Sequence, residues 1–158
     1  MYRIGQSTDI HVLCEGRDLI LGGVKIEHEL GLLGHSDADV LTHAITEAII
    51  GALGMGDLGT FFPDTSKEFK DIDSLILLDK VNKVMIDNDY EIVNIDSIIM
   101  IQRPKMITHI SKMKDNLANI LNIDPKNINI KATTGEKVGI IGKEEAALAQ
   151  AVVLIRKV

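Results

Sequence analysis

Several things are scarce in this chain, and each scarcity excludes something. There is no tryptophan and only 3% of residues are aromatic, so a core has to be built from Ile, Leu, Val, Ala and Met. A single cysteine, Cys14, rules out a disulfide within the chain and permits a reducing compartment. It reads as a small strand residue rather than a nucleophile. Basic residues are the minority, 17 Lys and Arg against 23 Asp and Glu, for a formal net charge of -6. That balance argues against a broad nucleic-acid-binding face. It leaves room for a small anionic substrate, because a bound metal can supply local positive charge. No apolar run approaches the length of a membrane span. Met1 to Gly5 leads directly into a patterned segment with no leader-like stretch, so the expected location is cytoplasmic.

What is present suits one domain over residues 1–158, with 46% hydrophobic and 25% charged residues and no linker, repeat or low-complexity tract. The N-terminal third reads as extended structure: Ile10, Val12 and Leu19 to Leu21 are strand-like, punctuated by Gly22 and Gly23. Ser36-Asp37-Ala38-Asp39 reads as a capping box that opens a helix at Ser36. Val40, Leu41, Ala44, Ile45, Ala48, Ile49 and Leu53 recur at helical spacing, and Gly54 and Gly56 end the run. Further helices are expected over Ser74 to Met85 and Met106 to Leu121, with strands over Ile92 to Ile101 and around Ile128, Ile130 and Ala132. Ala146 to Ile155 is ambiguous. Gly139 and Gly142 suit a hairpin-like return, which favours strand. The fold class is α+β: a mixed four-to-five-stranded sheet with helices on one face, in a ferredoxin-like layout.

One set of residues carries chemistry. Asp9 and His11 are two apart in a strand and point the same way. His43 lies on a polar helix stripe with Asp39 and Glu47, one turn to either side. Two imidazoles and a carboxylate form a three-ligand metal set with a position left open, suited to Zn²⁺ or Mn²⁺. Asp39 could orient the His43 ring. The bland alternative is a structural or surface role for each histidine. Two motif matches are set aside. Gly54-Met55-Gly56-Asp57-Leu58-Gly59 spells a dinucleotide fingerprint but closes a helix instead of opening one. Ser111 to Lys114 lacks the partner motifs that its acyl-transfer reading requires. Thr133-Thr134-Gly135-Glu136-Lys137 ends a strand in hydroxyls, a glycine and a carboxylate. It could present donors to a phosphate, with Glu136 on a hard cation, or be an ordinary polar turn. Lys105, after Pro104, offers a point charge to phosphate.

These blocks, taken in order, resemble the 2-C-methyl-D-erythritol 2,4-cyclodiphosphate synthase family. The resemblance rests on Arg3-Ile4-Gly5 leading to Asp9-Ile10-His11, on Gly34-His35-Ser36-Asp37-Ala38-Asp39-Val40 with His43, and on Gly56 to Gly59 with Phe62-Pro63-Asp64-Thr65. It continues through Pro104-Lys105-Met106, Lys131 to Thr134 and Glu136-Lys137. It implies a homotrimer packed around its sheets, with active sites shared between neighbouring subunits. Asp9, His11 and His43 would hold Zn²⁺ (or Mn²⁺ or Co²⁺), and Glu136 a second ion, Mg²⁺ or Mn²⁺. His35 and Thr134 would be the catalytic pair that positions the phosphates. Asp57, Leu58 and Gly59 would meet the polyol, and Phe62, Pro63, Asp64, Thr65 and Ser66 would line the substrate pocket. Gln102, Arg103, Pro104, Lys105, Met106 and Ile107, with Thr133, would hold the cytidine part, while Ser36, Gly135, Ile140 and Lys143 complete the substrate-binding set. The chain departs from the family pattern at Ser7, Thr8, Gly135, Ile140 and Lys143. His28 and His109 fall outside the matching blocks and read as surface or structural. Two other classes stay open: a different metal-dependent phosphoryl enzyme, such as a hydrolase of a nucleoside diphosphate compound, and a catalytically silent trimeric binding protein.

Overall fold

Small residues decide how this fold packs. The structure, a computed structural model, describes residues 1–63 and 65–158. Strand β1 (Tyr2–Cys14) alternates cleanly: Gly5, Ser7 and Leu13 are buried, while Ile4, Gln6, Thr8, Ile10 and Val12 are exposed. Helix α1 (Val40–Leu53) is buried nearly all round and lies against β1 and against β7 (Ala146–Lys157). It sits very close to the sheet. A Cβ on Gly5 would come within 1.8 Å of the Ala48 carbonyl oxygen. Ala147, Ala149 and Ala151 line the same buried face of β7, and Ala44, Ala48 and Ala52 are the matching small residues of α1. This seam is why the core fills without aromatic bulk.

Short elements complete the first half. Strands β2 (Leu19–Leu21) and β3 (Val24–Ile26) form a hairpin through Gly22 and Gly23, whose φ values of 56° and 69° suit a tight two-residue turn. Strand β4 (Gly31–Leu32) pairs with the end of β1. A one-turn helix α2 (Leu58–Phe61) follows α1. Helix α3 (Ser74–Asp87) packs on α1 through Leu77, Leu78, Val81 and Met85. Strand β5 (Tyr90–Met100), amphipathic helix α4 (Ile110–Leu121), strand β6 (Ile128–Thr133) and one-turn helix α5 (Gly139–Gly142) lead to β7.

The five-stranded sheet has the order β4-β1-β7-β5-β6, with β5 and β6 parallel and β7 antiparallel to both its neighbours. The long strands β1, β5 and β6 therefore run in one direction. This is an α+β fold with a mixed sheet, as expected, but it is not the ferredoxin-like β-α-β-β-α-β order. The last strand inserts between the first and the next long strand, and β5 pairs parallel with β6. Three local expectations also change. The helix expected from Ser36 starts at Val40, because Ala38 at φ 58° breaks it and Asp39 is the cap, accepting from the Thr42 N–H. The helix expected from Met106 starts at Ile110. Gly139 and Gly142 bound a helical turn, not a hairpin, and β7 pairs with β1 and β5 instead of β6. Among the described residues no helix is long and apolar enough to cross a membrane.

Candidate functional site

The alternation of β1 puts Asp9 and His11 on the helix-covered face, where α1 brings His43 over them. The Asp9 Oδ2 lies 3.2 Å from His11 Nε2 and 3.1 Å from His43 Nδ1. One donor atom from each of the three falls within 4.8 Å of the others; among the described residues these three alone form such a cluster.

The ring nitrogens turned away from Asp9 fix the tautomers. His11 Nδ1 is 2.6 Å from the Leu33 carbonyl, which can only accept, so Nδ1 carries the proton and Nε2 the lone pair. His43 Nε2 is 2.7 Å from Ser74 Oγ, and that hydroxyl donates to the Asp37 carboxylate. It therefore accepts from His43, whose Nδ1 lone pair is left facing Asp9. Both imidazoles are thus held in the state that a divalent ion requires, and the donor set fits Zn²⁺ or a similar ion. Burial alone would raise the Asp9 pKa. With no ion bound, protonated His11 and His43 rings donating to Asp9, with their charges, outweigh it and hold the carboxyl well below the usual range; a divalent ion would take the place of those protons.

Asp39 does not orient His43. Its buried carboxylate accepts from the N–H groups of Gly22 (3.0 Å), Gly23 (2.8 Å) and Thr42 (3.0 Å), and from the Thr42 hydroxyl (2.7 Å). It ties the β2–β3 turn to the start of α1. The hydroxyls of Ser74 (2.7 Å) and Ser36 (3.1 Å) meet His43 Nε2, and Asp37 in turn holds Ser74. Ser74 carries no sequence signal for that role: 37 positions separate it from Asp37, and only tertiary packing brings them together. Arg17 was also missed. It donates to the carbonyls of Leu32 (3.0 Å) and Ser36 (2.6 Å), pinning the segment that carries His35.

A cleft of about 310 Å³ opens on the triad and is lined by His35, Ser36, Leu58, Gly59 and Phe62, along with Phe69 and Leu77. His35 Nε2 lies 3.0 Å from the Ser66 carbonyl. The Asp57 carboxylate caps α2, accepting from the Thr60 hydroxyl (2.7 Å) and N–H (2.8 Å), and those bonds lower its pKa. Pro63, Thr65 and Ser66 follow Phe62 outside that lining, and Asp64 lies outside the described residues.

The remaining candidates gather elsewhere. A groove of about 470 Å³ is lined by Gln102, Pro104, Lys105, Met106, Ile107, Thr133 and Thr134 among others. Gln102 Oε1 accepts from the N–H groups of Gly135 and Lys137, shaping the turn beyond Thr134. In that turn the Thr134 hydroxyl donates to Glu136 at 3.1 Å. Arg103 points away from the groove, to Glu144 at 2.6 Å and Glu29 at 2.7 Å. Ile140 and Lys143 sit on and just after α5 and line neither cleft. His28 is a buried side chain with Nε2 unpaired, and His109 precedes α4 without capping it.

The triad and this groove are level with each other but far apart. The strand register places Ile10, Leu148, Met100 and Thr133 in one row across the sheet. Three strand spacings therefore separate β1 from β6, roughly 14 Å. Glu136 is not part of the triad's cluster.

A donor triad carried by β1 and α1, at the carboxyl end of β1 in a mixed-sheet α+β domain, defines a candidate divalent-ion site beside a cleft. The chain belongs to the YgbB family, whose model matches residues 2–156. It is 54% identical over 157 residues to a 2-C-methyl-D-erythritol 2,4-cyclodiphosphate synthase of Geobacillus sp. (strain WCH70), covering 99% of each chain. A synthase of the same name from Fusobacterium nucleatum is also 54% identical, over 99% of this chain and 98% of its own. Among solved structures, the bifunctional IspDF from Campylobacter jejuni superposes with a TM-score of 0.96 at 39% identity, over 100% of this chain and 43% of that one. The CDP complex of IspF from Plasmodium falciparum superposes with a TM-score of 0.86 at 38% identity, over 99% and 96%.

Proposed function

We propose that this chain closes 4-diphosphocytidyl-2-C-methyl-D-erythritol 2-phosphate to 2-C-methyl-D-erythritol 2,4-cyclodiphosphate and releases CMP, as a phosphorus–oxygen lyase of non-mevalonate isoprenoid synthesis. The observation that carries this reading is the triad itself, in the tautomeric state that a metal needs, within a chain that matches these synthases end to end. An oxygen of the 2-phosphate bonds to the β-phosphorus of the same molecule. The bond from that phosphorus to the oxygen bridging it to the α-phosphate breaks, and its electron pair leaves with CMP. No water is consumed, so the product is a ring. No protein nucleophile is required, and the work is positioning two anionic groups in line.

Each residue has a part in that positioning. When bound, a divalent ion (Zn²⁺, Mn²⁺ or Co²⁺) at Asp9, His11 and His43, and a second (Mg²⁺ or Mn²⁺) at Glu136, supply Lewis-acid charge to the phosphate oxygens. His35, anchored on the Ser66 carbonyl, and Thr134, on Glu136, orient phosphate oxygens from the two sides. Lys105 adds a point charge in the groove that takes the cytidine, in keeping with the CDP held by the Plasmodium falciparum relative. Ser36, Asp57, Leu58, Gly59 and the Phe62 segment receive the polyol. Gly135 shapes the turn beyond Thr134, while Ile140 and Lys143, outside both clefts, would face the centre of the trimer.

The reading includes a homotrimer, for two reasons. The two half-sites lie towards opposite ends of the sheet's strand order, which supports a neighbouring copy bringing one to the other. The sheet face away from the helices is also unusually apolar for a surface, with Ile4 69% and Val12 55% exposed. Residues 1–158 act as one cytoplasmic synthase domain.

Phosphorus NMR with the authentic substrate tests this reading. The cyclic diphosphate and CMP are the expected products, and His43→Ala abolishes both along with bound zinc. CMP with an open-chain bisphosphate would identify a hydrolase, and an unchanged substrate a binding protein.

A further inference from the structure

The roles above leave one carboxylate beside the metal helix unused. Glu47 lies one turn beyond His43 on α1 and does not line the cleft. Its Oε2 accepts from the Ser7 hydroxyl, and its Oε1 accepts from the Leu58 backbone N–H at 3.1 Å. Ser7 is buried, on the same face of β1 as Asp9. Leu58 is the first residue of α2 and stands between Asp57 and Gly59; Leu58 and Gly59 line the cleft. One side chain therefore joins the strand of Asp9 and His11, the helix of His43, and the loop that faces the cleft opposite them.

We propose that Glu47 is a positioning residue that sets the distance between the metal ligands and the loop receiving the polyol end of the substrate. This rests on the synthase reading. Beyond the partial packing of Met55, Leu58 and Phe61 against the core, the loop has little regular structure to hold it. Helix α2 is one turn long with no buried residue, and a helix of that length does not sustain itself. Gly56, at φ 88°, gives the chain before it a bend that other residues resist. Two carboxylates satisfy the start of α2: Asp57 takes the Thr60 N–H, and Glu47 takes the Leu58 N–H. In an intramolecular ring closure the far end of the substrate decides whether the attacking oxygen reaches phosphorus, and a displacement of about 1 Å costs on the order of 100-fold in rate.

Three substitutions test the idea. Glu47→Ala removes both contacts. It is expected to lower kcat/KM roughly 10- to 100-fold, chiefly through KM for the substrate, while zinc affinity measured by chelator competition stays at the wild-type value. Amide exchange at Leu58, read without substrate, speeds up. Glu47→Gln keeps both contacts, its amide oxygen accepting from Leu58 and its NH₂ donating to Ser7, and restores most of the loss. Glu47→Asp keeps the charge but is one methylene short. It falls between the two and serves alone if the alanine variant does not fold. Three results each overturn the proposal: a lowered Tm with unchanged kcat/KM, a loss of zinc in step with activity, or a Gln variant as impaired as Ala. A wild-type protein that releases no CMP would sink the synthase reading instead, and the Leu58 exchange would still report whether Glu47 holds the loop.

Discussion

Gly34 shows how little room surrounds the metal ligands. A Cβ built there would lie 2.9 Å from His11 Cε1 and 2.9 Å from the Ala38 Cβ, tighter than side chains normally approach. Gly34→Ala should push the His11 ring off the Leu33 carbonyl that holds its tautomer. Zinc affinity is expected to drop about 10- to 100-fold with the fold retained, as for other losses of support around a metal ligand. A chelator titration of the purified variant decides it, and an unchanged affinity would show that the ring can yield. At this scale the sequence was a good guide to the ligands themselves, because a period of two dictates that Asp9 and His11 share a face. It was a poor guide to what holds them. Leu33 and Ser74 meet the histidines, and Asp37 meets Ser74, through tertiary packing that no local spacing records.

Helix α1 is anchored at its start by the Asp39 carboxylate, and burial of that group has a pH signature. Burial, then the nearby charge of Asp37, raises the Asp39 pKa above its ordinary 3.8. The folded chain then holds this proton more readily than the unfolded chain. Stability therefore falls as pH rises from about 3.8 through the raised value, and is level beyond it. Asp39→Asn removes this slope. It also puts an NH₂ among groups that donate, leaving a part-buried N–H such as that of Gly23 unpaired, at a cost of up to about 1–3 kcal/mol. Urea unfolding across a pH series should show a less stable protein with a flatter profile, and a persistent slope would assign it to another group. Most elements were legible from periodicity: the body of α1, α3, β5, α4 and β6 lie where apolar spacing puts them. Their starts were not. A left-handed Ala38 moves the cap from Ser36 to Asp39, and nothing in the local pattern shows that β7 will insert between β1 and β5.

For the whole molecule, the division of the site between two ends of one sheet makes the assembly testable by mixing defects. His43→Ala and Glu136→Gln should each be inactive alone, since each ruins one half-site. Co-expressed, they would form mixed copies of the proposed trimer in which some interfaces join an intact triad to an intact Glu136. Random assembly then returns on the order of a quarter of wild-type activity. No recovery would mean that both halves serve from one chain. The trimer itself was implied by resemblance. The separation of its half-sites became legible only once the register set Ile10 and Thr133 in one row.

The alanine and glycine seam between α1 and the sheet also bears on how this protein can change. Gly5, Ala48 and Ala149 work as spacers: they set a gauge, and any growth in them widens it. His43 and Glu47 ride on the helix that this gauge holds, so the site's geometry is inherited from interior volumes as well as from the ligands' own surroundings. Neutral drift has its freedom at the outer end of the cytidine groove, around Ile107, where the side chain is exposed. A library aimed at altered substrates belongs there. One that diversified the seam would lose the chemistry before it reached a new specificity.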